Sequence, residues 1–539
     1  MKTKSFLLST LVTFMFAGCS SDDAREGNIP SGELNGKAYL SLSLQSHTST
    51  TRAENVVEKP GSSGESKAGT VRVLLFDEED VCLDVVNFDG LTVGNSGGTS
   101  AEGTGTPEAA ASEAQLVPEK TKKVFVVINP YTDGNKGWNL AAETVKGKPW
   151  SAINTSIEAV IANVTTTNQF MMTSAGKGAG IEGALTNVTV HKPGGYTNEA
   201  INQAKTEAKN NPAEINVDRL SAKVELAVKE AFTTKPDGAK FTFGGWELSV
   251  TNKSVKLYSE LITYDNATNG AVYRRDNNYL LSEQPVINTG NKKTDEANLM
   301  AAFDYLKNID NESDDIPAVV QTNGSSLYCL ENTMEAKAQQ LGFTTKVVVK
   351  ATYTPSGLNE NSSYFSWKGN YYTLDQLKTE YLKHSDGSGL KVDLPIFLKK
   401  AGIMTQEQFD GDQDTKNSVV ASLSEGATAT QLNAKTGIIG RFCAVRYYHE
   451  SVCYYDVLIR HDQNVTEKMA LGRYGVVRNN WYHLELQSVS GPGTPWIPDP
   501  SDPDNPTPPG TDDDEADAYI SVKITINPWT YWTQGVDLH

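Results

Sequence analysis

At 539 residues the chain is long enough for three or four domains of ~100–200 residues, or two large ones with appendages, and a lone small module is excluded. Apolar residues at 38% supply real cores and exclude wholesale disorder, while 48 basic against 66 acidic residues leave a formal charge of −18 that repels phosphate backbones, so no nucleic acid is expected as a partner. The 22 tyrosines and 44 glycines, with abundant Thr and Val and few long helical patterns, predict a mostly β protein of many short strands.

Lys2 and Lys4 precede an apolar stretch from Phe6 to Ala17, followed by Gly18 and Cys19. The stretch falls short of the ~20 apolar residues that a spanning helix needs. It reads as a signal peptide over residues 1–18 ending in a lipobox, with Phe16 where Leu is commoner. Small residues let a peptidase reach the backbone, and the Cys19 thiol is the atom that accepts diacylglycerol. Cys82, Cys329, Cys443 and Cys453 then remain, and three complete disulfide connectivities are open to them. All four read as small buried hydrophobes, with Cys443 and Cys453 the first to pair if any do. Without a Cys-x-x-Cys there is no zinc module.

Leu40, Leu42 and Leu44 alternate with Ser41 and Ser43, the period of a strand with one buried face. A Ser, Thr, Gly and charge-rich stretch from His47 to Ala68 follows, open to proteases and containing Thr51-Arg52-Ala53. Val71 to Phe76 and Val124 to Asn129 read as buried strands separated by a loop around Gly90 to Ala114. The spacing predicts a helix from Asn198 to Lys209, capped by Asn198 and stopped by Pro212. A second domain opens near residue 216, with an alternating strand from Val217 to Val228. Short helices are predicted at Leu299 to Leu306 and Leu374 to Leu382. Lys346 to Tyr353, Arg441 to Tyr448, Val452 to Arg460 and Trp481 to Val489 read as further strands, the middle two forming a hairpin through His449-Glu450-Ser451.

From Gly491 to Ala518 eight prolines alternate with acidic residues and no basic residue occurs, the composition of an extended, self-repelling linker. At ~3.1 Å per residue its 28 residues would span on the order of 80 Å. Beyond it Ile520, Val522, Ile524 and Ile526 share one face of a strand that ends in Pro528-Trp529. Two strands of one pattern therefore sit at opposite ends, one before Arg52 and one on a tether, an arrangement that suggests replacement. Loss of the first strand would expose an apolar edge, and a donor burying four aliphatic side chains would recover roughly 6–12 kcal/mol before ordering costs. Head-to-tail insertion does not close on itself and builds a filament. The plain alternative is that the terminal strand folds back into its own domain.

Several blocks occur in the order found in one family: the lipobox, Thr51-Arg52-Ala53, Val124 to Asn129, Met171-Met172-Thr173, Val217-Asp218-Arg219 and Tyr454-Tyr455. The stretch Gly475-Val476-Val477-Arg478-Asn479-Asn480-Trp481-Tyr482-His483-Leu484, the proline-rich linker and the ending Ile526-Asn527-Pro528-Trp529 through Gly535-Val536-Asp537-Leu538 complete the set. With them the chain resembles the Bacteroidetes fimbrillins, in particular the stalk subunits of minor fimbriae of the type V pilus. Ser20-Ser21-Asp22-Asp23 resembles the surface-export tag of lipoproteins from that phylum. The resemblance implies two tandem transthyretin-like β-sandwich domains with short helices, over residues 53–215 and 216–490. They would follow a propeptide at 19–52 and precede a linker and donor strand at 491–539. It implies lipidation at Cys19, a precursor anchored in the outer membrane, and cleavage between Arg52 and Ala53 by a trypsin-like, Arg-specific protease. Leu40, Leu42 and Leu44 would form the removable strand, and Ile520, Val522, Ile524, Ile526 and Trp529 the donor. Other copies of the chain and accessory pilus subunits are the implied partners, in a fimbrium serving adhesion and colonisation. The runners-up are a tip or anchor subunit of the same pilus, and a monomeric surface lipoprotein that stacks carbohydrate on Trp and Tyr.

No enzyme chemistry, cofactor or metal is expected. Gly178 to Gly183 fits GxGxxG, but Val188-Thr189-Val190 follows where a dinucleotide site needs a helix. Asp410, Asp412 and Asp414 begin like a calcium loop, yet Thr415 and Ala421 stand where an EF-hand requires Gly and Glu, and an acidic turn is expected there. The seven histidines form no His-Glu-x-x-His, and no Gly-x-Ser-x-Gly elbow occurs. His449 reads as a turn residue and His483 as part of a strand.

Overall fold

A computed structural model describes residues 34–46, 59–62, 64–95, 110–133, 136–159, 161–166, 169–175, 183–262, 273–308, 321–426, 431–462, 465–503, 505–515 and 520–530. These residues are mostly β, with helices short and set outside the main sheets. The first sheet draws on β1 (Lys37–Leu40), β2 (Leu42–Ser46), β3 (Lys59–Pro60), β4 (Val71–Phe76), β5 (Cys82–Phe88), β6 (Val93–Asn95), β7 (Gln115–Pro118), β8 (Lys123–Ile128), β9 (Met172–Ser174) and β10 (Ala213–Arg219) only in part. Its order is β5-β4-β8-β9-β10-β2-β6, while β1 pairs with β7 and β3 belongs elsewhere. The second half contributes β11 (Ser221–Thr234), β12 (Lys240–Ser249), β13 (Ser326–Leu330), β14 (Lys346–Thr354), β15 (Val452–Leu458), β16 (Asn480–Val489) and β17 (Ile520–Thr530). They build two layers, β13-β11-β16-β17-β3 and β12-β14-β15.

Alternation explains the layers. Val224, Leu226, Leu484 and Leu486 from one sheet and Trp246, Val347, Val349, Ala351 and Tyr455 from the other are all buried in one shared core. Sandwich packing follows because each strand places every second side chain inward. In the first half Val73, Leu75, Val124, Val126, Met172, Ile215 and Val217 form a core on one face of the sheet, and Leu74, Phe76, Phe125 and Val127 join a second core on the other. Sheet strands buried on both faces read as continuous apolar runs, as 71–76 and 123–128 do. The chain passes from β10 to β11 through Leu220 alone, so the two halves are joined without a loop.

Several local expectations are corrected. The strand expected over Leu40 to Leu44 is divided at Ser41, where Ser41 Oγ donates to the Ser112 carbonyl at 2.7 Å and Leu42 N donates to Ser112 Oγ at 3.0 Å. Leu40 thus ends β1 and Leu42 opens β2, yet Leu40, Leu42 and Leu44 all reach the same core and are 0% exposed. The helix at Asn198–Asn210 is capped by Thr197, whose side chain accepts from Ala200 N, so Asn198 is its first residue. The expected helix at Leu299 to Leu306 lies earlier, at Lys292–Ala302, because Asn291 caps it and Phe303 turns into a strand. Val445–Tyr448 and β15 do not form a hairpin: the former pairs with Tyr364–Trp367 and the latter with β14. Glu450 and Ser451, at φ 48° and 61°, swing the chain from one sheet to the other instead. Asp412 caps the helix Gln413–Ser422 by accepting from Thr415 N at 2.9 Å, which accounts for the acidic cluster.

A helical insertion between Asn370–Tyr372 and Val445–Tyr448 was legible only at Leu374–Lys383. It continues through Leu390–Lys400, Gln406–Asp410, Gln413–Ser422 and Ala434–Ile439 around its own core of Leu377, Tyr381, Leu394, Phe397 and Leu398. The four described cysteines are unpaired thiols, three of them buried and Cys443 partly exposed. Because Leu42 is wholly buried, Leu42→Ala is expected to lower stability by about 2–5 kcal/mol, seen as an earlier urea midpoint. A loss under ~0.5 kcal/mol would remove β2 from the core.

Candidate functional site

The chemistry-bearing features of this chain are strand edges. β2 is laid parallel between β10 and β6, with Leu42 opposite Ala213, Leu44 opposite Ile215 and Val93 on the other side of Leu44. β6 pairs with β2 in the first sheet, at the end of its strand order. Taking β2 away would leave the β10 ladder and the floor formed by Val71, Val73, Val126 and Ile128 uncovered. Each leucine contributes about 1.5–3 kcal/mol of burial, so the slot strongly favours an aliphatic strand.

At the other end of the chain β17 runs antiparallel to β16, with Leu484 opposite Ile524, Leu486 opposite Val522 and Val489 opposite Ile520. Ile520 and Ile524 are 7% exposed in the sandwich core of the second half. The outer edge of β17 is paired, among the described strands, by β3 at Trp529 and Thr530 only. The terminal strand therefore has a home in its own subunit, which is the plain alternative raised by the sequence. Side-chain surroundings of Ile526 and Trp529 lie outside the described residues, as do Cys19, Arg52 and Ala53.

The segment before β17 is not the free, self-repelling linker that its composition predicts. From 491 to 515 it is a strap bound along the second half. Tyr455 Oη donates to the Gly491 carbonyl at 2.9 Å and Tyr448 Oη to that of Gly493 at 3.0 Å. Tyr454 and Thr494 exchange backbone hydrogen bonds at 2.8 and 2.9 Å. Only glycine fits at 493, since a Cβ would lie 2.0 Å from the Tyr454 carbonyl oxygen. Trp496 and Ile497 are buried, with Arg446 5.3 Å above the Trp496 ring and Asn308 bonded to both the N–H and the carbonyl of Ile497. Lys346 donates to the Pro498 carbonyl at 3.0 Å, and Arg441 pairs with Asp502. Further on, Gly342 N donates to Pro509 O at 2.8 Å and Leu341 N to Thr511 O at 3.0 Å. The strap ends in a clasp. Asp514 accepts from Arg473 at 2.7 and 3.1 Å, from Tyr474 Oη at 2.9 Å and from Met469 N at 2.8 Å. Cations supplied by the body thus neutralise acidic residues that composition alone sets repelling one another.

A third feature ties the halves together, and sequence reasoning missed it. Arg219, fully buried at the end of β10, donates to the Glu65 carbonyl at 2.9 Å, to Asn479 Oδ1 at 3.1 Å and to Ser66 Oγ at 3.3 Å. The Glu65 carboxylate accepts from Lys223 at 2.9 Å and from Tyr328 Oη, and Lys223 sits 3.8 Å over the Trp481 ring. Burial raises the Glu65 carboxyl, but the Tyr328 and Lys223 hydrogen bonds outweigh it and hold the group below its ordinary value. Asp218 pairs with Arg274 and accepts from Asn479 Nδ2 at 2.9 Å, and Arg478 donates to Glu331 at 2.9 Å and to Ser259 Oγ at 2.6 Å. Val217-Asp218-Arg219 and the 475–484 stretch are thus the two faces of one buried ionic joint. Their sequence signal was the charged, amide-bearing run Arg478-Asn479-Asn480 inside an otherwise apolar region.

A cavity of about 220 Å³ lies between the halves, lined by Trp150, Asn154, Lys256, Tyr258, Glu260, Arg275 and Glu283. Its two rings are 4% and 3% exposed, so neither offers a face on which a sugar could stack. Among the described residues no group of three or more His, Cys, Asp or Glu side chains is placed to hold a metal. His449 lies in the turn before β15, and His483, on β16, stands 3.5 Å from Glu225.

Comparison with known proteins places these features. Residues 446–535, which include β15, β16, the strap and β17, match the family model described as major fimbrial subunit protein type IV, fimbrillin, C-terminal. The resemblance to fimbrillins read from the sequence is borne out over that segment. Among solved structures, a fimbrilin from Porphyromonas gingivalis is 16% identical, with 92% of this chain and 99% of that chain covered and a TM-score of 0.35. The tip fimbrial protein Mfa3 from the same organism, with a C-terminal truncation, is 10% identical over 92% of this chain and 100% of that one, at a TM-score of 0.34.

The strap carries its own pH dependence. Asp513 is buried, accepts from Thr344 Oγ1 at 2.6 Å, and is pushed up to about 8 first by burial and then by the charges of Asp514 and Asp512, against the opposing Thr344 hydrogen bond and Lys346 charge. An unfolded Asp titrates near ~3.9, so between about pH 4 and 8 the folded chain keeps a proton that the unfolded chain gives up. The contribution is fully present below ~4 and is lost as pH rises towards 8. Asp513→Asn is expected to keep strap amides protected from hydrogen exchange at pH 8, where the parent chain loses protection relative to pH 5. An identical decline in both would assign the titration to another group.

Proposed function

We propose that this chain is a structural subunit of a fimbrium that polymerises by exchanging strands between copies. On this reading it is exported as a lipoprotein on Cys19 and displayed at the outer membrane. A trypsin-like, Arg-specific protease cuts between Arg52 and Ala53, and the neighbour's terminal strand then fills the place of Leu40, Leu42 and Leu44. The observation that carries the reading is the position of β2, a short aliphatic strand next to the last in its sheet and parallel to both partners, with the Arg52 site in the next connection. The fimbrillin match over 446–535 supports it by covering the strap and the terminal strand.

The aliphatic burial given up at home and the burial regained in the slot are of similar size. Leaving its own sheet exposes the two isoleucines of β17 that are buried there, a cost of about 3–6 kcal/mol, while refilling three wholly buried leucine positions returns about 4.5–9 kcal/mol. The backbone ladder is lost at one edge and regained at the other. Successive head-to-tail insertions extend the polymer without closing it.

Trypsin-like treatment of the purified precursor is expected to convert monomer into SDS-resistant ladders, and deletion of Tyr519 to His539 to abolish them. Ladders from the cleaved, truncated protein would show that the terminal strand is not the donor. Arg52→Ala is expected to remain an uncut, lipidated monomer, and normal fibres from it would move the processing site elsewhere.

A further inference from the structure

We propose that the strap stays fastened to its own subunit during assembly, with Asp514 as its pivot, and that only the chain beyond Glu515 passes to a second copy. The surface around Asp514, Arg473 and Arg460 is then the face on which the neighbour's open slot is seated. The inference rests on the strand-exchange reading for its partner, but the fastening itself is a property of one chain.

The two parts of the terminal segment are held very differently. The strap is attached at intervals along 491–515 by backbone pairs, by two tyrosine hydroxyls, by a buried Trp-Ile pair and by the Arg441–Asp502 and Arg473–Asp514 ion pairs. Arg473 is itself fixed, donating also to the Val465 carbonyl at 2.5 Å, and its side chain is 9% exposed against 7% for Asp514. Breaking such a desolvated pair by removing one partner is far costlier than breaking an exposed one. Among the described side chains β17, in contrast, is held by one full ladder, by Ile520 and Ile524 at 7% exposure, by a partly buried Val522 on the same core and by a two-residue pairing on its outer edge. The segment that opens first is therefore the strand and not the strap.

This changes the reach of the donor. A free linker of 28 residues would span on the order of 80 Å, whereas the five steps from Glu515 to Ile520 cover about 17 Å at ~3.3–3.6 Å each. A neighbour can receive β17 only if the rim of its slot comes within that distance of the clasp. Arg460, 4.0 Å from Asp514 and with its side chain 45% exposed, faces outward from the same place and is available to an acidic partner. Subunits joined through so short a span are held in a fixed relation, and the filament is stiff.

Two measurements decide the matter. In native-state hydrogen exchange on the full-length chain at low denaturant, the amides of Ser521 to Thr530 are expected to exchange at least tenfold faster than those of Leu341, Gly342 and Asp513. A single shared opening of strap and strand, or earlier opening of the strap, overturns the fastening. The second is a disulfide that locks the strap, Gln340→Cys with Asp512→Cys, placed where these residues face each other as an antiparallel pair, in a Cys443→Ser background. After proteolysis the locked protein is expected to form ladders within twofold of the unlocked one. Loss of ladders that return on reduction overturns the inference. If the unlocked protein forms none, strand exchange itself fails, and the exchange experiment alone settles whether the strap is the firmer element.

Discussion

An edge strand in a β-sheet carries a row of backbone groups that must be paired or wetted, and this chain closes two such edges with strands from its two ends. β2 covers β10 in the first half, and β17 covers β16 in the second. Both coverings place aliphatic side chains in a core, β2 over 5 residues and β17 over 11. The rest of the molecule can be read as the frame that keeps these two edges in place, since β10 and β11 are consecutive and β11 pairs with β16. One continuous run of backbone thus links the slot of the first half to the strand of the second.

The frame is stiffened at that run by buried charge. Arg219 and Lys223 lie on either side of Leu220, and their partners Glu65 and Asn479 stand 154 or more residues away in sequence, with Tyr328 donating to the same Glu65 carboxylate. Ionic groups in such a place add little net stability compared with well-packed apolar ones, but a displaced partner leaves an uncompensated charge, so the penalty for any other orientation is steep. The joint therefore specifies how the halves sit more than it holds them together. The cavity at the same boundary is small and lined by charges of both signs, in keeping with a contact built for position.

Much of the fold was legible because alternation reports burial directly. The runs 71–76, 123–128, 346–354 and 480–489 emerged at or within a residue of the expected limits, since both their faces or one whole face are packed. What failed was set by partners remote in sequence. Proline and acid content predict a free chain over 491–518, because composition does not show the cations at Arg441 and Arg473 or the carbonyl-to-amide contacts with Leu341 and Gly342. The visible hint was Trp496-Ile497, an apolar pair with no place in a solvated spacer. The helical insertion was missed beyond its first helix because Pro395 and short, separately capped helices broke the periodicity. Ser41 divided a strand that alternation alone made continuous, since its hydroxyl found Ser112 instead of a ladder.

Glu65 links these observations to the chain's amino-terminal side. It stands thirteen positions after Arg52, in the short helix Gly64–Ser66, and its carboxylate is held by Ser62 N at 2.6 Å, Lys223 and Tyr328 while its carbonyl receives Arg219. The chain is therefore fixed to the inter-half joint from Ser62 onward, independently of β2. A break anywhere between Ser46 and Lys59 separates β2 from the body without loosening the joint, and it leaves the β3 pairing with Trp529 and Thr530 on the body side. Removal of the segment before that break takes β1 from β7 and β2 from between β10 and β6, while the joint that fixes β10 to the second half stays closed through Glu65 and Arg219.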